Sequence, residues 1–152
     1  MNSTNFSQIL DENQHGLVLY ARQWTDAADQ WYSAEDIVQE AFVRLLRECP
    51  VPQSPKAWLY QVVRNLAIDY RRKAVRTTSL GEADPDWFES ETDSLDITES
   101  LRKLDGDIRE IVISKIWGNL TFREIAELTG RPISSVHYDY QQGLNQLKEL
   151  LE

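Results

Sequence analysis

One stretch, residues 54–76, constrains the fold of this chain more than any other. Ser54 can cap a helix whose first position is Pro55, and no later Gly or Pro interrupts the pattern before residue 76. Apolar side chains recur along it at the spacing of a single helical face: Leu59, Val62, Val63, Leu66, Ala67 and Tyr70. The spacing predicts a helix of about six turns with one side packed against a core.

The other side of this predicted helix is polar and mostly basic. It carries Gln61, Arg64, Asn65, Asp69, Arg72, Lys73 and Arg76. Residues 50–76 hold six Lys or Arg and one acidic residue, a local charge of +5 in a chain whose net charge is −9. Charge runs usually form a solvated helix face. The contrast with the rest of the chain, and the amide side chains among the cations, favour a nucleic-acid contact instead.

The overall composition limits the classes of protein to consider. A chain of 152 residues can form one domain or two small ones, and none of its apolar runs reaches the roughly 18–20 residues of a membrane span. The polar start is not typical of a signal peptide, so we expect a cytoplasmic protein. Cys49 is the only cysteine, and His15 and His137 are far apart in sequence. We therefore expect neither a metal site nor a cofactor.

The string WLYQVVRNLAIDYRRK, residues 58–73, resembles the promoter-melting segment of the extracytoplasmic-function (ECF) sigma factors, a group of the sigma-70 family. These small bacterial proteins bring RNA polymerase to promoters. The resemblance implies that the residues of this segment and of the proline-rich loop before it contact the minus-ten element, with Gln53, Ser54 and Lys56 around an unstacked base. The implied set is Gln53, Ser54, Lys56, Trp58, Gln61, Arg64, Asn65, Asp69, Arg71, Arg72, Lys73 and Arg76.

A second helix is predicted from Ser33 to the prolines that follow Cys49. Ser33 and Asp36 have the spacing of a capping box. The apolar face is Ile37, Val38, Ala41, Phe42, Leu45 and Leu46. The segment AEDIVQEAF, residues 34–42, resembles the docking helix of the same family. This implies contacts with the clamp coiled coil of core RNA polymerase by Asp36, Gln39, Glu40 and Arg44. Residues 1–32 show two shorter helix patterns, one around Phe6 and one from Leu17 to Trp24.

The composition changes sharply after Arg76. Residues 77–100 contain eight acidic residues and no Lys or Arg. Residues 77–94 lack apolar periodicity and are typical of a flexible linker, with Trp87-Phe88 as its one apolar spot. That pair can pack the linker onto a domain. The resemblance implies a linker threaded into the nucleic-acid channels of polymerase, and an anionic segment could equally cover the basic helix in the free protein.

The last part of the chain, residues 95–152, has the outline of a helix-turn-helix. Leu95, Leu101 and Leu104 indicate one helix, and Asp105 or Asp107 can cap the next. Thr121 and Glu124 then have capping-box spacing, and the turn at residues 130–132 precedes a final helix over residues 133–151. Helix pairs of this outline also occur in proteins that never meet DNA.

Residues 101–136 resemble the sigma-factor domain that reads the minus-thirty-five element. The implied contacts are Arg131, Ser134, Ser135, His137, Tyr138 and Gln141. Family members usually continue with basic residues after the position of Val136, whereas this chain has HYDYQQG. Asp139 is expected to face the phosphates, and residues 101–152 have a net charge of −1. The sequence thus equips this domain poorly for tight DNA binding.

We therefore predict an all-α protein of two small domains, residues 1–76 and 95–152, joined by the acidic linker at 77–94. The leading hypothesis is a nonenzymatic initiation factor that binds core RNA polymerase and promoter DNA and helps to open the minus-ten region. Its partners also include an anti-sigma factor or another regulatory protein. The alternatives are a sigma-like adaptor whose last domain binds protein rather than DNA and, less favoured, a stand-alone repressor. No catalytic motif indicates an enzyme.

Overall fold

The computed structural model describes residues 1–25, 32–77 and 95–152, with the side chains at 77, 95, 96 and 98 left out. Within these residues the chain forms seven α-helices and no strand. It divides into two compact units, Met1–Trp87 and Phe88–Glu152. The predicted linker beyond residue 77, with Trp87-Phe88, lies outside the described residues. None of the described helices is long and apolar enough to cross a membrane.

The first unit is a bundle of three helices: α1 (Ser3–Thr25), α2 (Ala34–Arg47) and α3 (Pro55–Thr77), each packed on the other two. The capping box predicted before α2 is confirmed, because Ser33 Oγ accepts from the Asp36 N–H and Asp36 Oδ2 accepts from the Ser33 N–H. Helix α3 begins at Pro55, and the first helical hydrogen bond runs from the Trp58 N–H to the Ser54 carbonyl. The predicted six-turn helix is thus confirmed.

Aromatic and aliphatic side chains from all three helices fill the core of this unit. Leu17 and Tyr20 of α1, Ile37 and Leu45 of α2, and Leu59 and Val63 of α3 are fully or almost fully buried. The rings of Tyr20 and Tyr60 lie 5.0 Å apart. Burial raises the pKa of Tyr60 far above its usual value of 10.0. The same cause raises the pKa of Tyr32 to about 12, and Arg71 partly opposes that shift.

Two local predictions for this unit were wrong. Residues 3–25 form a single helix, with Gly16 buried inside it. Tertiary packing on α2 and α3 offsets the cost of about 1 kcal/mol that a helical glycine carries. Leu46 was assigned to the apolar face of α2, yet it is 57% exposed while Leu45 is 1% exposed. A helix turns by about 100° per residue, so Leu46 falls beyond the edge of the buried stripe.

The second unit contains α4 (Leu95–Arg102), α5 (Gly106–Ile116), α6 (Phe122–Thr129) and α7 (Ile133–Leu151). The Thr121 hydroxyl accepts from the Glu124 N–H, and the Glu124 carboxylate accepts from the Thr121 N–H, so this capping box is also confirmed. Gly130 ends α6 in the left-handed region at φ 70°, a conformation that glycine adopts without strain. Helices α6 and α7 therefore form the predicted helix-turn-helix.

The guanidinium group of Arg109 ties α5 to the end of α4. Its Nε donates to the Leu101 carbonyl at 3.1 Å, and its Nη2 donates to the carbonyls of Arg102 and Leu104 at 3.1 and 2.8 Å. These are carbonyl groups at the C-terminal end of a helix, where intrahelical partners run out. Arg109 is thus a structural cation.

Helices α5 and α7 approach closely at Gly143. A Cβ atom at this position would lie 2.6 Å from Val112 Cγ2 and 2.8 Å from Ile108 Cγ2. Both distances are too short for carbon atoms, so the two helices can meet in this way only because residue 143 has no side chain.

We expect Gly143→Ala to lower the free energy of unfolding of the second unit by about 1–3 kcal/mol, the usual cost of overpacking. Gly106→Ala is the control, because a Cβ there meets nothing within 4 Å. Urea unfolding followed by circular dichroism measures both. Equal stability of the two variants would contradict the close approach.

The first unit should lose stability in alkali. Because burial raises the pKa of Tyr60 in the folded protein, the unfolded chain releases this proton at lower pH. The contribution is intact below pH 10 and falls as the pH rises above it. We expect Tyr60→Phe to reduce the loss of stability between pH 9 and 11. Tyr138→Phe is the control because Tyr138 is 65% exposed, and an equal effect of both changes would contradict this assignment.

Candidate nucleic-acid interface

The basic residues of α3 lie on its solvent side, chiefly along its last two turns. Arg72, Lys73 and Arg76 are exposed and Arg71 is half-buried. Lys73 Nζ lies 3.2 Å from Asp69 Oδ2, so the one acid of this face neutralises part of one cation. Arg64, farther back on the helix, is also half-buried. The predicted apolar and basic faces are therefore both present on α3.

An open cleft of about 730 Å³ adjoins these cations. Trp24, Ile68 and Val75 supply its apolar wall. Its charged rim consists of Asp69, Arg71, Arg72 and Arg76. These three apolar residues were not predicted from the sequence as part of the site. Of the three, only Val75 could have been recognised from the sequence, because it is an aliphatic residue among cations. In the structure 40% of Val75 is exposed.

The other predicted minus-ten residues surround the start of α3. Gln53 and Ser54 are exposed in the loop before the helix, and Lys56 and Trp58 are half-buried in its first turn. One turn later, the Gln61 side-chain amide donates to Asn65 Oδ1 at 3.0 Å. This bond orients both amide groups at the surface, where such groups can hydrogen-bond to bases. The predicted minus-ten residues thus lie in the loop before α3 and along the whole length of α3.

The predicted polymerase-binding residues form a separate surface on α2. Asp36 and Gln39 are exposed, and Glu40 pairs with Arg44 at 3.2 Å. Asp36 has a second role, because one of its oxygens caps the helix. The surface is acidic and amide-bearing, so it suits a basic protein and repels phosphate.

On the helix-turn-helix, only part of α7 faces outward. Ser134, His137, Tyr138 and Gln141 are exposed, and Ser135 is half-buried. The His137 ring stacks on Phe122, with 4.0 Å between ring centroids and 36° between planes. Tyr140 packs against the same ring at 5.3 Å. The aromatic contacts therefore join α6 to α7. The His137 ring packs in this cluster and is also exposed to solvent.

The structure differs from the sequence expectation at Asp139. Its carboxylate forms an ion pair with Arg131 Nη2, from the turn that precedes α7, and its side chain is only 17% exposed. The expected clash between Asp139 and DNA phosphates is thus replaced by an internal pair. Arg131, one of the predicted DNA contacts, is its partner.

Three of the other six cations of this unit also have internal partners. Arg102 pairs with Glu99 at 3.0 Å, and Arg109 holds three carbonyl groups. Lys115 Nζ donates to the Leu120 carbonyl and lies 4.4 Å from the centroid of the Phe122 ring.

No cluster of three or more His, Cys, Asp or Glu side chains able to hold a metal ion occurs in the described parts of the chain.

Two sequence models of one family match the chain in order. The model described as Sigma-70 region 2 matches residues 9–77, which include the surfaces on α2 and α3. The model described as Sigma-70, region 4 matches residues 94–147, which include the helix-turn-helix. Together the two matches span most of the chain.

Individual proteins agree with these matches. The chain is 29% identical over 147 residues to the ECF RNA polymerase sigma factor SigL of Mycobacterium tuberculosis, covering 86% of this chain and 81% of SigL. It is 28% identical over 110 residues to the RNA polymerase sigma factor SigV of Bacillus subtilis, covering 68% of this chain and 66% of SigV.

A solved structure shares the fold. It is the sigma factor RpoE of Bartonella quintana in complex with the anti-sigma factor NepR, with a TM-score of 0.70 and 24% identity. The match covers 97% of this chain and 96% of RpoE. Family matches in both units, similarity to ECF factors along the chain and a shared fold lead to one conclusion. The chain belongs to the sigma-70 family, in its extracytoplasmic-function group.

Proposed function

We propose that this chain is a nonenzymatic transcription initiation factor that binds core RNA polymerase and directs it to specific promoters. The observation that carries the proposal is the succession of two matched sigma-70 regions, 9–77 and 94–147, each on its own helical unit. The residue assignments below rest on the exposure and charge of the described side chains. The protein acts in the cytoplasm, where polymerase and promoter DNA meet.

Docking on polymerase is assigned to α2. Asp36, Gln39, Glu40 and Arg44 offer carboxylate, amide and guanidinium groups at the surface, and Glu40 forms an ion pair with Arg44. A partner with basic and polar groups, such as the clamp coiled coil of core polymerase, complements this surface. DNA phosphates would be repelled from it. The two faces of the unit therefore have different partners.

Recognition and opening of the minus-ten region are assigned to α3 and the loop before it. Exposed Gln53 and Ser54 offer hydrogen bonds to an unstacked base, and the cations near the C-terminal end of α3 attract the phosphates. The chain needs no catalytic group for melting. Contacts to separated bases offset part of the stacking free energy, about 1.4 kcal/mol per base-pair step.

Reading of the minus-thirty-five element is assigned to the outward side of α7. Ser134, Ser135, His137, Tyr138 and Gln141 offer hydroxyl, imidazole and amide groups to base edges. The adaptor hypothesis, in which this unit binds protein alone, is disfavoured because its own sequence matches sigma-70 region 4. A stand-alone repressor is disfavoured because the clustered exposed cations Arg72, Lys73 and Arg76 lie on α3 of the other unit.

A regulatory protein is the third proposed partner. RpoE, which shares the fold, was solved in complex with the anti-sigma factor NepR. By analogy we propose that a protein of the anti-sigma class controls this chain by covering surfaces that polymerase or DNA would contact.

The double change Asp36→Arg and Glu40→Arg should weaken binding to core polymerase by at least about tenfold, or about 1.4 kcal/mol. The reason is that two attractive charges become repulsive. Fluorescence anisotropy of the labelled chain with core polymerase measures the affinity.

Two controls separate docking from folding in that experiment. Ser33→Ala removes the cap of α2 without a change of charge. Asp11→Arg with Glu12→Arg makes the same charge change on exposed positions of α1. Unchanged polymerase binding by the α2 variant, or equal weakening by the α1 variant, would remove α2 from the docking surface.

Changing Arg72 and Lys73 to Ala should reduce promoter opening by the polymerase complex and lower the salt dependence of promoter binding. Each lost phosphate contact reduces the slope of log K against log salt by about 0.7–0.9. Of the two single changes, Arg72→Ala should have a larger effect than Lys73→Ala, because Asp69 already neutralises part of the Lys73 charge. The control combines Lys103→Ala with Lys148→Ala, which removes two exposed cations of the other unit. Opening that is insensitive to the α3 changes would exclude this face from the mechanism.

A further inference from the structure

Arg131 and Asp139 form an ion pair across the turn of the helix-turn-helix. Arg131 follows Gly130, which ends α6, and Asp139 lies in the second turn of α7. The pair joins Arg131 Nη2 to Asp139 Oδ2. Eight residues separate the two side chains in sequence, so the contact exists only when the turn and the start of α7 are folded.

The pair is largely sheltered from solvent. The Arg131 side chain is 30% exposed and the Asp139 side chain is 17% exposed. The other terminal nitrogen of Arg131, Nη1, is also buried and has no hydrogen-bond partner among the described residues. A guanidinium group that binds a DNA phosphate must present its N–H groups to the outside. This one directs both terminal nitrogens into the protein.

We infer that Asp139 withholds Arg131 from DNA phosphates, so that α7 reads bases through neutral side chains and adds almost no salt-dependent attraction. The inference rests on the proposed function and concerns how the second unit contributes to it. Asp139 acts through Arg131 and touches no DNA itself. It is a positioning residue that sets how strongly this unit binds DNA.

The positions of the other cations of the unit fit this reading, because the exposed ones, Lys103, Arg123 and Lys148, lie outside the first three turns of α7. Arg102, Arg109 and Lys115 are held by Glu99, by carbonyl groups and by the Phe122 ring, as described above. The exposed positions at the start of α7 are Ile133, Ser134, His137, Tyr138 and Gln141. Such a surface can offer hydrogen bonds to base edges and apolar contacts to thymine methyl groups. Because the start of α7 presents no exposed Lys or Arg, this surface adds little phosphate attraction of its own.

The test is a mutant cycle on the full chain in complex with core polymerase. Asp139→Asn keeps the shape of the side chain and removes its charge, which frees Arg131. We expect the slope of log K against log salt on a promoter fragment to steepen by about 0.9, equivalent to one phosphate contact. Lowering the salt from 200 to 50 mM should then favour the variant over the original chain by a further factor of about 3.5.

The second arm removes the cation. Arg131→Gln alone should not lower the slope, because the guanidinium is already withheld. Asp139→Asn combined with Arg131→Gln should lose the steepening. Glu149→Gln, an exposed acid of the same helix, controls for the change in net charge. Thermal unfolding establishes that each variant is folded, and Asp139→Ser replaces Asp139→Asn if that variant is not.

Three results would overturn the inference. The first is a lower slope for Arg131→Gln, since it would mean that Arg131 contacts phosphate in the original chain. The second is a folded Asp139 variant whose slope does not steepen, and the third is a slope that steepens equally when Arg131 is also replaced. The cycle is repeated at low salt on unrelated duplex DNA without polymerase. If the original chain forms no promoter complex, the proposed function fails, and the second data set still decides the role of Asp139.

Discussion

The architecture depends on the two-sidedness of α3. One side of this helix supplies Leu59, Val63 and Leu66 to the core, where they pack against α1 and α2. The other side presents Arg72, Lys73 and Arg76 to solvent. Because the same backbone carries both, the position of the cations is fixed by hydrophobic packing rather than by a mobile loop. A rigid basic surface of this kind loses little conformational entropy when a nucleic acid binds, which favours precise placement of separated strands.

Charge is divided between the units in a way that the net charge of −9 conceals. In the first unit, the surface of α3 is mainly basic, and the surface of α2 carries both acidic residues and the basic pair Arg44 and Arg47. In the second unit, Arg102, Arg109, Lys115 and Arg131 are held by acids, carbonyl groups or a ring. An acidic protein of this design avoids indiscriminate attachment to DNA, because its net charge repels phosphate while exposed cations cluster at the end of α3. Polymerase binding would then be needed before promoter contacts become strong.

The positions of the helices could be predicted from the sequence better than the burial and contacts of the side chains on their surfaces. Ser33 with Asp36, and Thr121 with Glu124, fixed the starts of two helices, because capping boxes are local hydrogen-bond patterns. Prediction failed where distant packing decides the outcome: Gly16 continues α1 because neighbouring helices hold it, and Leu46 falls just outside a buried stripe. The cleft beside Trp24 was not foreseen because it joins residues about 45 positions apart, a separation that helical periodicity does not relate. The Arg131 contact was missed for the same reason, since a turn brings its partner close.

The close approach at Gly143 has a consequence for variation among related chains. Helix α5 contacts α7 where residue 143 offers only backbone, so the distance between the two axes is set by the absence of a side chain. A homologue with a larger residue there would have to move α7 outward or tilt it. Such a tilt would shift the amino-terminal turn of α7, which lies two helical turns or more away. Gly143 therefore sets the angle between α5 and α7, the helix to which reading of the minus-thirty-five element is assigned.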